Sequence, residues 1–197
     1  MEGKPSTADA FIICVPTPFN EKTKKADLSF VAQAAESIAP YLKPGNLVVL
    51  ESTVPPGTTE NLMAPILAKK SKLKIPGEVL IAHCPERVLP GQILQELVAN
   101  DRIIGGIDEA SSKAAQTIYS KFVTGTIFLT SARVAETVKL AENTFRDINI
   151  AYANELEGIC ARLGIDAWEV IHLANRHPRV NILKPGPGVG GHCIAVD

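Results

Sequence analysis

The feature that most constrains the fold is a long, uninterrupted helical pattern between Ser131 and Leu163. This stretch contains no proline and only one glycine, Gly158, and its apolar residues recur near the helical period. Gly164 follows directly, and glycine is the usual residue at which a helix stops. A helix of about 33 residues would be about 50 Å long, which is longer than one small domain needs. We therefore expect a helix that bridges two domains or pairs with a second copy of itself.

Short apolar runs alternate with helical patterns in the part of the chain before Thr130. Such runs, rich in β-branched residues and bounded by turn residues, are typical of strands buried on both faces. Asp27 and Asp108 are candidate N-caps of two of the intervening helices, and Asp166 of a later one. The order predicts an α/β fold with a parallel, doubly wound sheet, followed from about Thr130 by an all-α region. The predicted strands are 10–15, 47–50, 79–82, 102–104 and 126–129, and the predicted helices are 27–42, 58–68, 108–122, 131–163 and 167–175.

Composition and charge argue against several classes of protein. The formal net charge is -1 and the basic residues are spread along the chain, so nothing favours a nucleic-acid partner. No apolar run approaches the ~18 residues of a membrane span, and no signal-peptide pattern is present. The cysteines lie far apart, which argues against a zinc site and predicts reduced thiols in the cytoplasm. They are Cys14, Cys84, Cys160 and Cys193.

Polar side chains follow three predicted strands at their carboxyl ends, where open α/β sheets bind ligands. Thr17 lies between two prolines after the first strand, in a stiff loop that presents a hydroxyl. Thr53 lies in a polar loop after the second strand, and Glu86 and Arg87 follow the third. One such loop could be a proline-rich turn with solvated side chains, but three on consecutive strand ends outline a pocket.

The predicted long helix carries Lys139, Asn143 and Arg146 at positions i, i+4 and i+7, which lie on one face. Two cations and an amide are suited to an anion or a sugar, and a lysine in an enclosed site can exchange protons near neutral pH. The alternative is a solvated polar stripe with ion pairs, to which the nearby Glu136, Glu142 and Asp147 would belong.

The last residues form a glycine-rich run, Lys184–Gly191, followed closely by Cys193 and, four residues later, Asp197. Glycine has no Cβ, so such a loop can approach a ligand closely. A thiol beside this loop with an acid nearby predicts a covalent nucleophile. The alternative is a glycine turn before a small buried cysteine.

Six stretches of the chain resemble the UDP-glucose/GDP-mannose dehydrogenase family, and they follow one another in the family's order. They cover nearly the whole chain. CPERVLPG and NRHPRVNI resemble the branch that acts on UDP-N-acetyl-D-mannosamine more than the UDP-glucose branch. The stretches are VPTPF, LESTVPPGTTE, CPERVLPGQ, NDRIIGG, AETVKLAENTFRDINIAYANEL and ANRHPRVNILKPGPGVGGHCIAVD.

The resemblance also implies a domain arrangement. Family members begin with a strand–GxGxxG–helix dinucleotide fingerprint and end with a second Rossmann-like domain that holds UDP. No GxGxxG opens a helix in this sequence, and the chain stops where the UDP-binding domain would start. We therefore expect a central fragment. Residues 1–130 would be the C-terminal part of the NAD-binding Rossmann-like domain, and 131–197 a helical dimerisation domain ending in the catalytic cysteine loop.

The activity implied by the resemblance is the four-electron oxidation of a UDP-sugar C6 alcohol to a uronic acid with NAD, a step of polysaccharide biosynthesis. Lys139 would take the alcohol proton, and Cys193 would attack the aldehyde to give a thiohemiacetal and then a thioester. Asn143 and Lys139 would stabilise the oxyanion, and Asn143 or Asp197 would hold the hydrolytic water. Glu86 matches the family's catalytic glutamate.

Further positions are implied to contact the ligands. Thr17, Thr53 and Glu86 fall on the nicotinamide side. The long helix 131–163 is implied to form a homodimer, in which His177 and Arg179 are candidates to reach the partner's site. Positions that contact the sugar nucleotide correspond to Arg87, Val88, Lys139, Asn143, Arg146, His177, Arg179 and Gly190.

Three other functions stay open. A non-catalytic helical dimerisation module would explain the long helix and would not depend on Cys193. A 6-dehydrogenase that acts on UDP-glucose or UDP-N-acetylglucosamine would use the same chemistry on a different sugar. A β-hydroxyacid or 6-phosphogluconate-type dehydrogenase shares a long helix with a lysine but does not need the thiol after the glycine run.

Overall fold

A five-stranded sheet organises the first of the two compact units, Met1–Lys139, into which the chain divides; the second is Leu140–Asp197. The computed structural model describes residues 5–88 and 91–188. The strand order is β1-β4-β5-β6-β7. The strands are β1 Ala10–Ile13, β2 Phe19–Asn20, β3 Lys25–Ala26, β4 Leu47–Leu50, β5 Leu80–His83, β6 Arg102–Gly106 and β7 Ile127–Ser131. The helices are α1 Ser29–Ile38, α2 Ala64–Ser71, α3 Ile93–Ala99, α4 Glu109–Tyr119, α5 Ala132–Leu163 and α6 Ala167–Ala174, with short turns at Ala39–Tyr41 and Thr59–Met63.

The sheet confirms the predicted α/β class but contains one antiparallel pair. β1, β4 and β5 run parallel, as do β6 and β7, whereas β6 runs antiparallel to β5. The prediction of an all-parallel sheet is therefore wrong at β6. A parallel neighbour needs a connection that returns along the whole sheet. The connection here contains α3, a helix of 7 residues that is only about 10 Å long.

Apolar side chains cover both faces of the sheet, which explains its continuous apolar strands. Val48 and Leu50 pack with Ile81 on one side, together with α1 and α2. Leu47 and Val49 pack on the other side with residues of α4. A sheet buried on both faces places its functional groups at strand ends rather than on a face.

Two of the predicted caps start helices as expected. The Asp108 carboxylate accepts a hydrogen bond from the Ser111 N–H at 2.7 Å at the start of α4. The Asp166 carboxylate accepts one from the Trp168 N–H at 2.9 Å at the start of α6. A side chain at Gly106 would come within 2.4 Å of the Asp108 carbonyl oxygen, so the second glycine of NDRIIGG is required by packing.

The long helix is present as predicted. α5 contains 32 residues, so it is about 48 Å long. Gly164 follows it with φ +67°, the left-handed conformation of a helix stop. The division between the units falls after Lys139, within α5, so its first two turns belong to the sheet unit. Among the described residues, no helix is long and apolar enough to cross a membrane.

Candidate active site

The loops that follow β1 and β4 are joined by two side-chain hydrogen bonds at the carboxyl edge of the sheet. The Thr17 hydroxyl donates to the Thr53 carbonyl oxygen at 2.7 Å. The Ser52 hydroxyl donates to the Val15 carbonyl oxygen, also at 2.7 Å. Parallel neighbouring strands end at the same edge, so these contacts follow from the pairing of β1 with β4. Thr17 and Thr53, two of the predicted site residues, are therefore brought together.

Glu51 is the centre of a polar cluster at this edge. Its carboxylate accepts a hydrogen bond from the Cys14 thiol at 3.1 Å and another from the Tyr119 hydroxyl. Partial burial and the neighbouring Glu51 raise the pKa of Cys14 to about 12. Burial, with Cys84 and Glu51 nearby, raises the pKa of Tyr119 far above its ordinary value. Both groups therefore stay protonated at neutral pH and act as donors to Glu51.

The Glu86 carboxylate is held by three neighbouring nitrogen atoms. Its Oε1 accepts hydrogen bonds from the N–H groups of Arg87 at 2.7 Å and Val88 at 3.0 Å. Its Oε2 lies 3.2 Å from Nη1 of Arg102, whose side chain is only 4% exposed. Arg102 also stacks over the Tyr119 ring, 5.8 Å from its centroid. The predicted catalytic carboxylate thus has a fixed orientation and a buried cation as its partner.

Arg102 and Tyr119 are missing from the sequence-based set of site residues. Arg102 opens a strand of otherwise apolar residues and glycine, which is the one local signal that could have revealed it. Tyr119 is the last residue of α4, and its partner Glu51 is 68 positions away. No local pattern reveals a contact of that kind.

The last residue of β5, His83, and the residue after it, Cys84, are buried and neutral. His83 is fully buried, and neither of its ring nitrogens has a hydrogen-bond partner within the described part of the chain. Burial disfavours the imidazolium and lowers the pKa of His83 to about 4. Cys84 is also fully buried, and burial raises its pKa to about 11, partly opposed by the positive charge of Arg102. Neither group is charged near neutral pH.

Two polar residues near the start of α5, Glu136 and the predicted site residue Lys139, belong to the first unit. Lys139 is half-buried, but Glu136 is only 1% exposed. The Glu136 carboxylate accepts hydrogen bonds from the Gly57 N–H and from both the N–H and the hydroxyl of Thr59. The alternative of a solvated stripe is therefore wrong for Glu136.

The second unit carries the other stripe residues and the loop before the glycine run. Asn143 is buried, whereas Arg146, His177 and Arg179 are exposed. The Arg179 N–H donates to Nδ1 of His177 at 3.4 Å, so these two predicted residues share one tight turn.

Asparagines hold that loop and the start of the glycine run. The Asn175 side chain bonds both the N–H and the carbonyl of Ile182, at 2.7 and 2.9 Å. The Asn154 side chain accepts from the Gly186 N–H at 2.8 Å, and both line an open groove with Trp168. Cys193, Gly190 and Asp197 lie outside the described residues, so their roles stay predictions.

Comparison with known proteins gives a consistent set of relatives. The model described as "UDP-glucose/GDP-mannose dehydrogenase family, NAD binding domain" matches residues 1–123. The model for the central domain of the same family matches residues 133–197.

Individual relatives are similar over the whole chain. A UDP-N-acetyl-D-mannosamine dehydrogenase of Methanocaldococcus jannaschii is 60% identical over 100% of this chain and 45% of its own length. An NDP-N-acetyl-D-galactosaminuronic acid dehydrogenase of Ralstonia solanacearum is 58% identical over 98% of this chain and 47% of its own. The structure of a UDP-N-acetyl-mannosamine dehydrogenase from S. aureus is 51% identical, with a TM-score of 0.88, over 98% of this chain and 47% of that one. The chain thus spans about half the length of the relatives it matches.

Proposed function

The chain belongs to the UDP-glucose/GDP-mannose dehydrogenase family, and from that premise we propose that it is the central part of an NAD-dependent UDP-sugar 6-dehydrogenase. The complete enzyme would oxidise the C6 alcohol of a UDP-N-acetylhexosamine, UDP-N-acetyl-D-mannosamine, to the uronic acid. The observation that carries this proposal is the 60% identity, along the entire chain, to a protein named UDP-N-acetyl-D-mannosamine dehydrogenase.

We propose domain limits to match. Residues 1–130 form the C-terminal part of the NAD-binding domain, and 131–197 form the central helical domain that ends in the cysteine loop. The two family models, which meet between residues 123 and 133, support this division. The GxGxxG half and the UDP-binding domain belong to the rest of the enzyme.

NAD fits the carboxyl edge of the first unit. Open α/β sheets bind their ligands beyond the carboxyl ends of strands, and the joined loops after β1 and β4 carry Thr17 and Thr53 at that edge. Glu86 follows β5 there, with its carboxylate fixed by Arg102. Bound NAD⁺ would supply the hydride acceptor, and the two oxidations would consume two NAD⁺ molecules. Thr17, Thr53 and Glu86 would orient its nicotinamide end and a nearby water.

In the proposed reaction, Lys139 acts as the proton acceptor and Cys193 as the covalent nucleophile. The Lys139 amine takes the proton of the C6 hydroxyl as its hydride leaves, which gives the aldehyde. The Cys193 thiolate then adds to the aldehyde carbon, and loss of the second hydride from this thiohemiacetal gives a thioester. Water attacks the thioester and releases the acid and the free thiol. A covalent intermediate keeps the aldehyde from escaping and makes the second oxidation intramolecular.

The remaining residues bind and stabilise. Asn143 donates to the oxyanion together with Lys139, and Asn143 or Asp197 holds the hydrolytic water. A neighbouring ammonium also favours the thiolate form of a cysteine. The residues that would contact the sugar nucleotide are Arg87, Val88, Arg146, His177, Arg179 and Gly190.

Similar relatives are named for two different N-acetylhexosamines. Turnover of the full-length enzyme should therefore be compared on the UDP-linked N-acetylmannosamine, N-acetylglucosamine, N-acetylgalactosamine and glucose. A preference for UDP-glucose over every N-acetylated sugar would contradict the proposed substrate class.

We propose that α5 forms a homodimer. Apolar side chains from the middle of α5 to its end are exposed, among them Phe145 at 61% and Ile148 at 63%. A two-fold crossing of α5 with its copy is the simplest closed arrangement that covers them. Sedimentation well above micromolar concentration should give a dimer, and Ile148→Glu should give a monomer. Leu94→Glu, at a position on α3 that is 80% exposed, is the control that should stay dimeric; a well-folded wild-type monomer would contradict the proposal.

A cytoplasmic location is supported by the free thiols of Cys14, Cys84 and Cys160. The uronic acid product would enter polysaccharide biosynthesis. The competing function, a non-catalytic dimerisation module, predicts neither turnover nor dependence on Cys193.

Cys193→Ser in the full-length enzyme is the direct test. Acid formation should fall by more than ~10³-fold, about 4 kcal/mol of barrier, because a serine is not activated as a thiolate. UDP-sugar binding should change little. Cys14→Ser, which keeps a donor to Glu51, is the matched control and should retain activity. Normal turnover by Cys193→Ser would exclude the mechanism.

A further inference from the structure

Glu136 is a buried acid that joins two segments far apart in the sequence. Its side chain is 1% exposed and lies in the second turn of α5. Its Oε1 accepts the Thr59 N–H at 2.8 Å and the Thr59 hydroxyl at 2.6 Å, and its Oε2 accepts the Gly57 N–H. A buried carboxylate is costly unless its oxygens are hydrogen-bonded, and both oxygens of Glu136 have donors.

The donors belong to the beginning of a helix. Gly57 and Thr59 precede and open the turn Thr59–Met63, which continues into α2. The first N–H groups of a helix have no partner within the helix and carry partial positive charge. Thr58, the residue at the capping position, makes no side-chain hydrogen bond to them. Glu136 therefore caps this helix from 77 positions away.

The same contact fixes the position of the predicted cofactor loop against α5. Thr53 lies in the loop that leads from β4 to Gly57, and its carbonyl oxygen accepts the hydrogen bond from Thr17. Lys139 lies three residues after Glu136 in the same helix, a rise of about 4.5 Å. Both ends of the link lie in the first unit.

We propose that Glu136 is the positioning residue that sets the distance between Lys139 and the loop that carries Thr53, to which Thr17 is hydrogen-bonded. The inference rests on the proposed function, in which Lys139 takes a proton while the hydride leaves toward that loop. Misplacement of a reacting group by about 1 Å can cost on the order of 10²-fold in rate. A neighbouring ion pair, Arg133 with Glu60 at 2.7 Å, joins the same segments but is exposed to solvent.

Glu136→Gln in the full-length enzyme is the first test. It keeps the shape of the side chain but turns one acceptor oxygen into an NH₂ group that faces an N–H donor. We expect kcat to fall about 30-fold with little change in KM for the UDP-sugar. The readout specific to positioning is a double mutant: in Lys139→Ala, which already lacks the group being positioned, Glu136→Gln should cost less than about 2-fold more.

Two variants of Thr59 test the same contact with less risk of unfolding the protein. Thr59→Val removes one of the donors to Glu136 and should lower kcat about 5-fold, whereas Thr59→Ser keeps the hydroxyl and should restore it. Ser111→Ala removes a buried hydrogen bond to the Ile81 N–H, so it should lower the melting temperature without lowering kcat. Glu60→Gln should also leave kcat within about 2-fold.

The outcomes separate the inference from the proposed function. If the wild-type enzyme reduces no NAD with any UDP-sugar, the proposed function fails and the inference falls with it. If the wild type is active but Glu136→Gln and Thr59→Val retain full kcat, only the inference is overturned. Equal losses from Glu136→Gln with and without Lys139 also overturn it, because they indicate a purely structural cap.

Discussion

Lowering the pH should destabilise the fold through His83. The folded state holds this buried imidazole neutral, with a pKa of about 4 against the ordinary value of 6.5. Well above pH 6.5 His83 is neutral in both the folded and the unfolded chain, so its burial does not make the free energy of unfolding depend on pH there. Between pH 6.5 and about 4 only the unfolded chain binds the proton, so the free energy of unfolding falls as the pH falls. A difference of 2.5 pKa units, from 6.5 to about 4, corresponds to about 3 kcal/mol.

The measurement is urea unfolding, followed by circular dichroism between pH 7.5 and 4.5, of the wild type and of His83→Leu. Carboxylates titrate in both proteins and cancel in the difference. The variant should therefore gain about 2.5 kcal/mol relative to the wild type across this range. The NMR resonance of His83, identified by its loss in the variant, should titrate below pH 5. A difference that does not change with pH, or a titration near 6.5, would refute the reasoning.

Two further predictions concern reactivity. Lys139→Ala and Asn143→Ala should be strongly non-additive in kcat because both serve the same step; losses that multiply in the double mutant would assign them to separate steps. Iodoacetamide at pH 7.5 should leave Cys14 and Cys84 unmodified in peptide mass maps of the full-length enzyme while Cys193 reacts. The pKa values of Cys14 and Cys84, about 12 and 11, leave fewer than about one of these thiols in a thousand ionised at that pH. Alkylation of Cys14 at the rate of a free thiol would contradict this prediction.

The elements that sequence predicts well are those with local signals. The absence of proline before Gly164 is enough to predict α5, and the carboxylates of Asp108 and Asp166 cap their helices as expected. The direction of β6 and the presence of α3 depend on how the chain leaves β5, for which the sequence carries no periodic signal. The two-residue strands β2 and β3 are too short to leave a pattern.

In the candidate site, too, the contacts that follow from the strand order could be predicted, and those between distant residues could not. The meeting of Thr17 with Thr53 follows from the rule that parallel strands end at one edge, which the order of strands in the sequence already predicts. The partners of Glu136 and Tyr119 could not be predicted, because each contact joins residues about 70 or more positions apart. Polarity alone suggested a solvated Glu136, whereas three donors make its burial possible.

The distribution of protons around Glu51 bears on which thiol can act as the nucleophile. Cys14 and Tyr119 donate to its carboxylate, and their raised pKa values keep both donors protonated. Cys84 is buried in the same cluster, where ionisation is also disfavoured despite the nearby Arg102. A thiolate at Cys14 would place a negative charge beside Glu51 and Glu86, and one at Cys84 would place it beside Glu51. Burial first, and the neighbouring carboxylates second, therefore keep both cysteines of this edge protonated, which favours a nucleophile from another part of the chain, as in the proposal for Cys193.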